Sequence, residues 1–129
     1  MGCESQRAYI VDDDPLVRKA LVGLFQIRGY ETIDFDSGED LLDQIDPLPD
    51  DVLITDFQMA GITGIEVIEE LARRNVTLPT ILYSGSAHIW DIKVRAGNLP
   101  CVILEKPCEF GGILAAIQEA TGKVAEAKA

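Results

Sequence analysis

Short apolar runs recur along the chain, and each breaks off abruptly on polar residues. Ala8-Tyr9-Ile10-Val11, Tyr30 to Phe35, Val52-Leu53-Ile54-Thr55, Pro79 to Tyr83 and Cys101 to Leu104 have the length and side-chain types of strands. The Val52 run is apolar without alternation, which suits a strand covered on both faces in the middle of a parallel sheet. Between the runs the apolar spacing turns helical. Asp14 caps and Pro15 opens a first helix carrying Leu16, Ala20, Leu21, Leu24 and Phe25, closed by Gly29. Ser37, with an acid three residues on, opens a second helix through Leu41, Leu42 and Ile45. A third runs from about Ile65 to Arg74 on Val67, Ile68 and Leu71 and stops near Asn75. A short fourth covers Ala87 to Arg95, ending at Ala96-Gly97. A last helix runs from about Glu109 to Ala120, with Gly122 after it and a frayed tail beyond. Five strands alternating with five helices predict an α/β class with right-handed crossovers and a parallel sheet covered on both faces. The organisation expected is an N-terminal extension over 1–7, a domain over 8–121 and a tail over 122–129.

Length and composition narrow this little. At 129 residues and 47% apolar content, the chain can bury one substantial core and is not a disordered segment. No apolar run approaches ~18 residues, so no membrane span is expected. The first seven residues lack the layout of a signal peptide, and Gly2 with Gln6 is a poor myristoylation start. Cys3, Cys101 and Cys108 lack metal-type spacing and are expected to stay reduced, which fits the cytoplasm. The net charge of −11, from 22 acidic against 11 basic side chains, disfavours direct nucleic-acid binding.

The polar residues that change the picture stand where apolar strands end: Asp12 and Asp13, Asp56, Ser84 and Lys106. A parallel sheet brings all these ends to one edge, the edge where open α/β sheets carry their chemistry. If the first and third strands are neighbours, as in the order 2-1-3-4-5, Asp13 and Asp56 face one crevice. Carboxylates so placed repel unless a cation joins them, and a hard divalent ion such as Mg²⁺ is the natural partner. Lys106 adds a compact positive charge, and Ser84 a hydroxyl able to donate to a phosphoryl oxygen. Asp56 is then read as a nucleophile forming an acyl phosphate.

Together Tyr9-Ile10-Val11-Asp12-Asp13-Asp14-Pro15, Leu53-Ile54-Thr55-Asp56-Phe57-Gln58-Met59-Ala60-Gly61 with Gly64, Tyr83-Ser84-Gly85 and Glu105-Lys106-Pro107 resemble a response-regulator receiver domain of two-component signalling, over about residues 7 to 121. The resemblance implies a doubly wound, flavodoxin-like three-layer sandwich with parallel strand order 2-1-3-4-5. It implies Asp56 as phosphoryl acceptor, with Mg²⁺ held by Asp13, by Asp12 beside it, by Asp56 and by the backbone carbonyl of Gln58. Ser84 and Lys106 would bind the phosphoryl group, and Lys106-Pro107 would be a cis peptide. A histidine kinase or histidine phosphotransfer protein would be the donor and an unidentified downstream protein the listener, with no membrane involved. The chain would assist its own phosphorylation and dephosphorylation without being a turnover enzyme.

Some positions depart from the family's usual pattern. Ile103 stands where Tyr or Phe is common, so a switch would run without a rotating ring. Ala60 replaces a frequent Pro, the fourth helix is short, and Asn98-Leu99-Pro100 lengthens the approach to the fifth strand. Partner contacts near the fourth helix and fifth strand are therefore expected to be unusual. The resemblance implies that Gln58 and Ser86 flank the route of attacking water. His88 reads as an exposed helix residue, Trp90 as packed against the core with a partner contact as its alternative, Cys101 and Cys108 as packed near the sheet end, and Arg73-Arg74 as the basic last turn of a helix. Nothing after residue 121 suggests an output domain, so the output is expected to be a partner. A stand-alone regulator, a phosphorelay shuttle and a receiver from a larger protein all remain open. An aspartate-nucleophile phosphohydrolase would need a second Asp where Gln58 stands. A flavodoxin-type cofactor binder would need a phosphate loop where Asp12-Asp13-Asp14 stands. A scaffold pseudo-receiver fits poorly with an intact acidic pocket, Asp56 and Lys106.

Overall fold

Strands β1 (Arg7–Val11), β2 (Glu31–Phe35), β3 (Val52–Asp56), β4 (Thr80–Ser84) and β5 (Cys101–Glu105) alternate with helices α1 (Pro15–Ile27), α2 (Gly38–Gln44), α3 (Gly64–Arg73), α4 (Ile89–Ala96) and α5 (Phe110–Lys128). The computed structural model describes residues 6–85, 89–97, 99, 101–106 and 110–128. All pairings are parallel and the strand order is β2-β1-β3-β4-β5, as expected. Helices α1 and α5 cover one face, where Leu21, Phe25, Ile113 and Ile117 pack on Ile10, Ile54 and Ile81. Helices α2, α3 and α4 cover the other, through Leu41, Val67, Leu71, Ile68 and Ile92. Strands β3 and β4 are therefore buried at every position, which is why the Val52 run is apolar without alternation.

Local chemistry starts the helices where the polar signals lie. The Asp14 carboxylate accepts from the amides of Leu16 and Val17, and Pro15 takes the first helical position. Ser37 accepts from the Asp40 amide at 3.1 Å. Thr63 and Glu66 form a reciprocal capping box on α3. At the other ends, Gly29 at φ +88° and Asn75 at φ +60° turn the chain out of α1 and α3.

Three expectations need correction. Helix α5 does not stop at Ala120, and no frayed tail begins at 122; the helix runs on to Lys128. Gly122 inside it costs about 1 kcal/mol relative to alanine, but Ile113, Ile117, Ala120 and Val124 form one continuous buried stripe that offsets the cost. In α1, Leu16 and Leu24 are exposed; the helix faces the core through Val17, Leu21 and Phe25. At the N-terminus, Arg7 belongs to the fold. Its guanidinium donates to the buried Asp51 carboxylate from Nε at 3.1 Å and Nη2 at 2.7 Å, and to the Asp46 carbonyl at 3.0 Å. Asp51 also accepts from the Leu48 amide at 2.7 Å. This clasp closes the edge of the sheet opposite the strand C-termini. No helix among the described residues is long and apolar enough to cross a membrane.

Candidate functional site

The parallel register carries one face of the sheet straight into the site. Ile10 pairs with Ile54, and Ile54 with Ile81, all three on the α1/α5 face. Two residues further along each strand, on the same face because side chains alternate, come Asp12, Asp56 and Tyr83. On β5 the corresponding row is Val102, Leu104 and then Lys106. One carboxylate oxygen from each of Asp12, Asp13 and Asp56 lies within 4.8 Å of the other two. The Lys106 Nζ stands 3.1 Å from Asp56 Oδ1.

Each carboxylate is held by donors of its own. Asp12 is buried; its Oδ1 accepts from the Asp14 amide at 2.9 Å and its Oδ2 from the Tyr83 hydroxyl. The Arg18 guanidinium fixes the Asp12 backbone carbonyl at 2.8 Å. The exposed Asp13 accepts from the Ala60 amide at 3.0 Å, a bond that a proline at 60 would be unable to donate. Burial pushes the Asp56 carboxyl above the ordinary carboxylate range, with Asp12 adding to the rise. Lys106 and a backbone hydrogen bond at Gln58 pull the other way without cancelling it.

Beneath Asp56 the backbone is closely packed. A side-chain atom on Gly64 would collide with the Asp56 carbonyl oxygen and approach the Leu82 Cδ1 to 2.6 Å. Gly64 therefore serves close approach of α3 to the strand end rather than loop flexibility. The turn itself is made at Gly61, at φ +84°, and Glu39 of α2 braces the loop by accepting from the Ile62 amide at 3.3 Å.

The donor set fits a hard divalent cation. Three carboxylates converge on one point and, among the described residues, one ammonium opposes them, so the cluster there carries uncompensated negative charge over oxygen ligands. Those residues would supply the ligands, and the ion would supply the charge neutralisation that an incoming phosphate requires.

The structure brings together Asp12, Asp13, Asp56 and Lys106. Ser84 is buried at the end of β4, where its hydroxyl donates to the Gly85 carbonyl at 3.2 Å. Gln58 is exposed in the loop after β3. Ile103 is half-buried in the cluster formed with α3 and α4, so the position contributes packing there. Trp90 is not packed on the core as expected: it is 78% exposed on α4, with the Lys93 ammonium 5.8 Å from its ring centroid. Cys101 is buried at the start of β5. Cys3, Ser86, His88, Pro107 and Cys108, and with Pro107 the expected cis peptide, lie outside the described residues. Tyr83 and Ala60 are the site contacts that sequence reasoning missed. Tyr83 reads in sequence as one more aromatic in a strand, and only its register with Asp56 signals otherwise.

Residues 8–118 match the response regulator receiver domain, and the chain belongs to that family. It is 32% identical to the transcriptional regulatory protein FixJ of Azorhizobium caulinodans over 124 residues, covering 95% of this chain and 58% of that protein. It is also 32% identical to nodulation protein W of Bradyrhizobium diazoefficiens over 114 residues, covering 88% of this chain and 50% of that one. The chain thus spans about half to three-fifths of the length of these curated relatives. The fold superposes on the crystal structure of FixJ-N with a TM-score of 0.81 at 28% identity, covering 92% of this chain and 95% of that one. For the response regulator TrrA of Thermotoga maritima in complex with Mg²⁺-BeF the TM-score is 0.74 at 26% identity, covering 89% and 98%.

Proposed function

We propose that the chain accepts a phosphoryl group on Asp56 from a histidine kinase or histidine phosphotransfer protein, and signals through protein–protein contacts. The carrying observation is the convergence of Asp12, Asp13 and Asp56 carboxylate oxygens within 4.8 Å, with the Lys106 ammonium 3.1 Å from Asp56. An Asp56 carboxylate oxygen attacks phosphorus, an O–P bond forms, and the bond to the donor nitrogen breaks with its electron pair leaving on the imidazole. Lys106, already beside Asp56, neutralises charge on the phosphoryl oxygens, and the Ser84 hydroxyl leaves Gly85 to donate to one of them. Asp12, Asp13, Asp56 and the Gln58 backbone carbonyl hold Mg²⁺, for which the Mg²⁺-BeF complex of TrrA is further support.

We place the phosphoacceptor domain over β1 to α5, Arg7 to Lys128, in the cytoplasm, and its output contacts on α4 and β5. Trp90 and Val94, one turn apart on α4 and both 78% exposed, mark that surface. The test is incubation with acetyl phosphate, with and without Mg²⁺, followed by intact mass. One alkali-labile phosphoryl group is expected, dependent on Mg²⁺ and absent in Asp56→Asn. No adduct, or an adduct that persists in the variant, overturns the assignment.

A further inference from the structure

We infer that Tyr83 is a positioning residue of the phosphoacceptor site, joining the cation-binding carboxylate Asp12 to the phosphoryl-binding Lys106 through one side chain. The inference rests on the function proposed above and adds a residue to it. Tyr83 is 4% exposed, so its hydroxyl needs an internal partner, and the partner it has is a carboxylate of the acidic cluster. Phenylalanine would fill the same space in the α1/α5 core without that requirement. With the Asp14 amide on Oδ1 and the Tyr83 hydroxyl on Oδ2, both oxygens of Asp12 are held and the plane of the carboxylate is set. Such donors to metal-binding carboxylates orient them toward the ion.

The ring serves the other side. The Lys106 Nζ lies 4.9 Å from the Tyr83 ring centroid while standing 3.1 Å from Asp56 Oδ1. The negative face of the ring attracts the ammonium and confines a flexible lysine to the place where phosphoryl oxygens arrive. The backbone ties the same group together: Tyr83 pairs with Asp56 across β3 and β4, and its carbonyl accepts from the Phe57 amide at 2.9 Å. Removal of the hydroxyl should therefore act on the cation, and removal of the ring on the lysine.

The experiment is calorimetric titration of MgCl₂ into the full chain and its variants, beside phosphorylation by acetyl phosphate at saturating Mg²⁺. Tyr83→Phe is expected to weaken Mg²⁺ binding about 10- to 100-fold, the usual effect of losing such a partner, while the rate at saturating Mg²⁺ stays near that of the parent. Tyr83→Leu is expected to lose rate as well. In an Asp12→Ala background, Tyr83→Phe should change Mg²⁺ affinity no further, because the acceptor of its hydroxyl is already gone. A merely structural tyrosine would not give that pattern. Parental affinity in Tyr83→Phe, an equal loss in both backgrounds, or a parent that binds no Mg²⁺ overturns the inference. Should Tyr83→Phe fold poorly, ring-labelled tyrosine in the parent decides: Mg²⁺ must shift the Tyr83 ring resonances, and an unshifted Tyr83 ring is a refutation. A parent that forms no Mg²⁺-dependent adduct fails the proposed function, whereas parental Mg²⁺ affinity in Tyr83→Phe beside an intact parental adduct fails this inference alone, so the two failures are distinguishable.

Discussion

Asp56 carries a charge that its surroundings resist. It is buried, it shares a crevice with Asp12 and Asp13, and Lys106 offsets this only in part. Replacing it by the neutral isostere should therefore raise the melting temperature of the metal-free protein. Added Mg²⁺ should stabilise the parent much more than Asp56→Asn, because a cation that binds only the folded state adds to its stability. Thermal denaturation with and without Mg²⁺ checks both halves. At this scale the charged members of the site were legible, since each acid or base interrupts an apolar run. Tyr83 and the Ala60 amide were not. A buried hydroxyl and a backbone N–H become site atoms only through strand register and loop path, which residue types do not display. Trp90 misled for the opposite reason: it sits in an apolar-looking helix of only eight residues, and Ile92 and Ala96 take the core face instead.

Helix α3 shows how an element serves the site. Its first residue, Gly64, lies against the Asp56 carbonyl, so Gly64→Ala must push helix and strand end apart. A loss of about 1–3 kcal/mol in urea unfolding is expected, with slower phosphorylation because the Asp56 backbone shifts. Thr63→Ala removes the cap one residue earlier and should cost about 1 kcal/mol while sparing phosphorylation. The Glu66 half of that capping box titrates. Its carboxyl is held below the ordinary value of 4.5 by hydrogen bonds at Thr63. Its contribution is thus present above that value and is lost as pH falls through the lower, folded value. Acid unfolding of Glu66→Gln should accordingly differ from the parent near neutrality and converge with it in acid. Helix starts were legible from Asp14-Pro15 and Ser37, but the end of α5 was not. Gly122 is a common stop signal, and only the packing of Val124 beyond it reveals that burial overrides the signal.

Across the whole molecule, stability and chemistry are concentrated at opposite edges of the sheet. The Arg7–Asp51 clasp, with the Leu48 amide on the same carboxylate, closes the N-terminal edge far from Lys106. Asp51→Ala strands a guanidinium and an amide together and should cost about 2–3 kcal/mol, yet leave Mg²⁺ affinity unchanged when the folded protein is titrated. Alternation of strands and helices made the parallel sheet legible, and the family resemblance implied the observed order, which brings Asp13 to Asp56. The clasp escaped notice because Arg7 and Asp51 are 44 residues apart and each reads as an ordinary loop charge.

The central claim is that phosphate reaches Asp56 and no other carboxylate of the cluster. Borohydride reduction of the phosphorylated chain converts an acyl phosphate into an alcohol, so a phosphorylated aspartate becomes homoserine, and peptide sequencing by mass then locates it. Homoserine at position 56, formed only when both donor and Mg²⁺ were present, is the predicted result; homoserine at position 12 or 13, or none anywhere, would contradict the account.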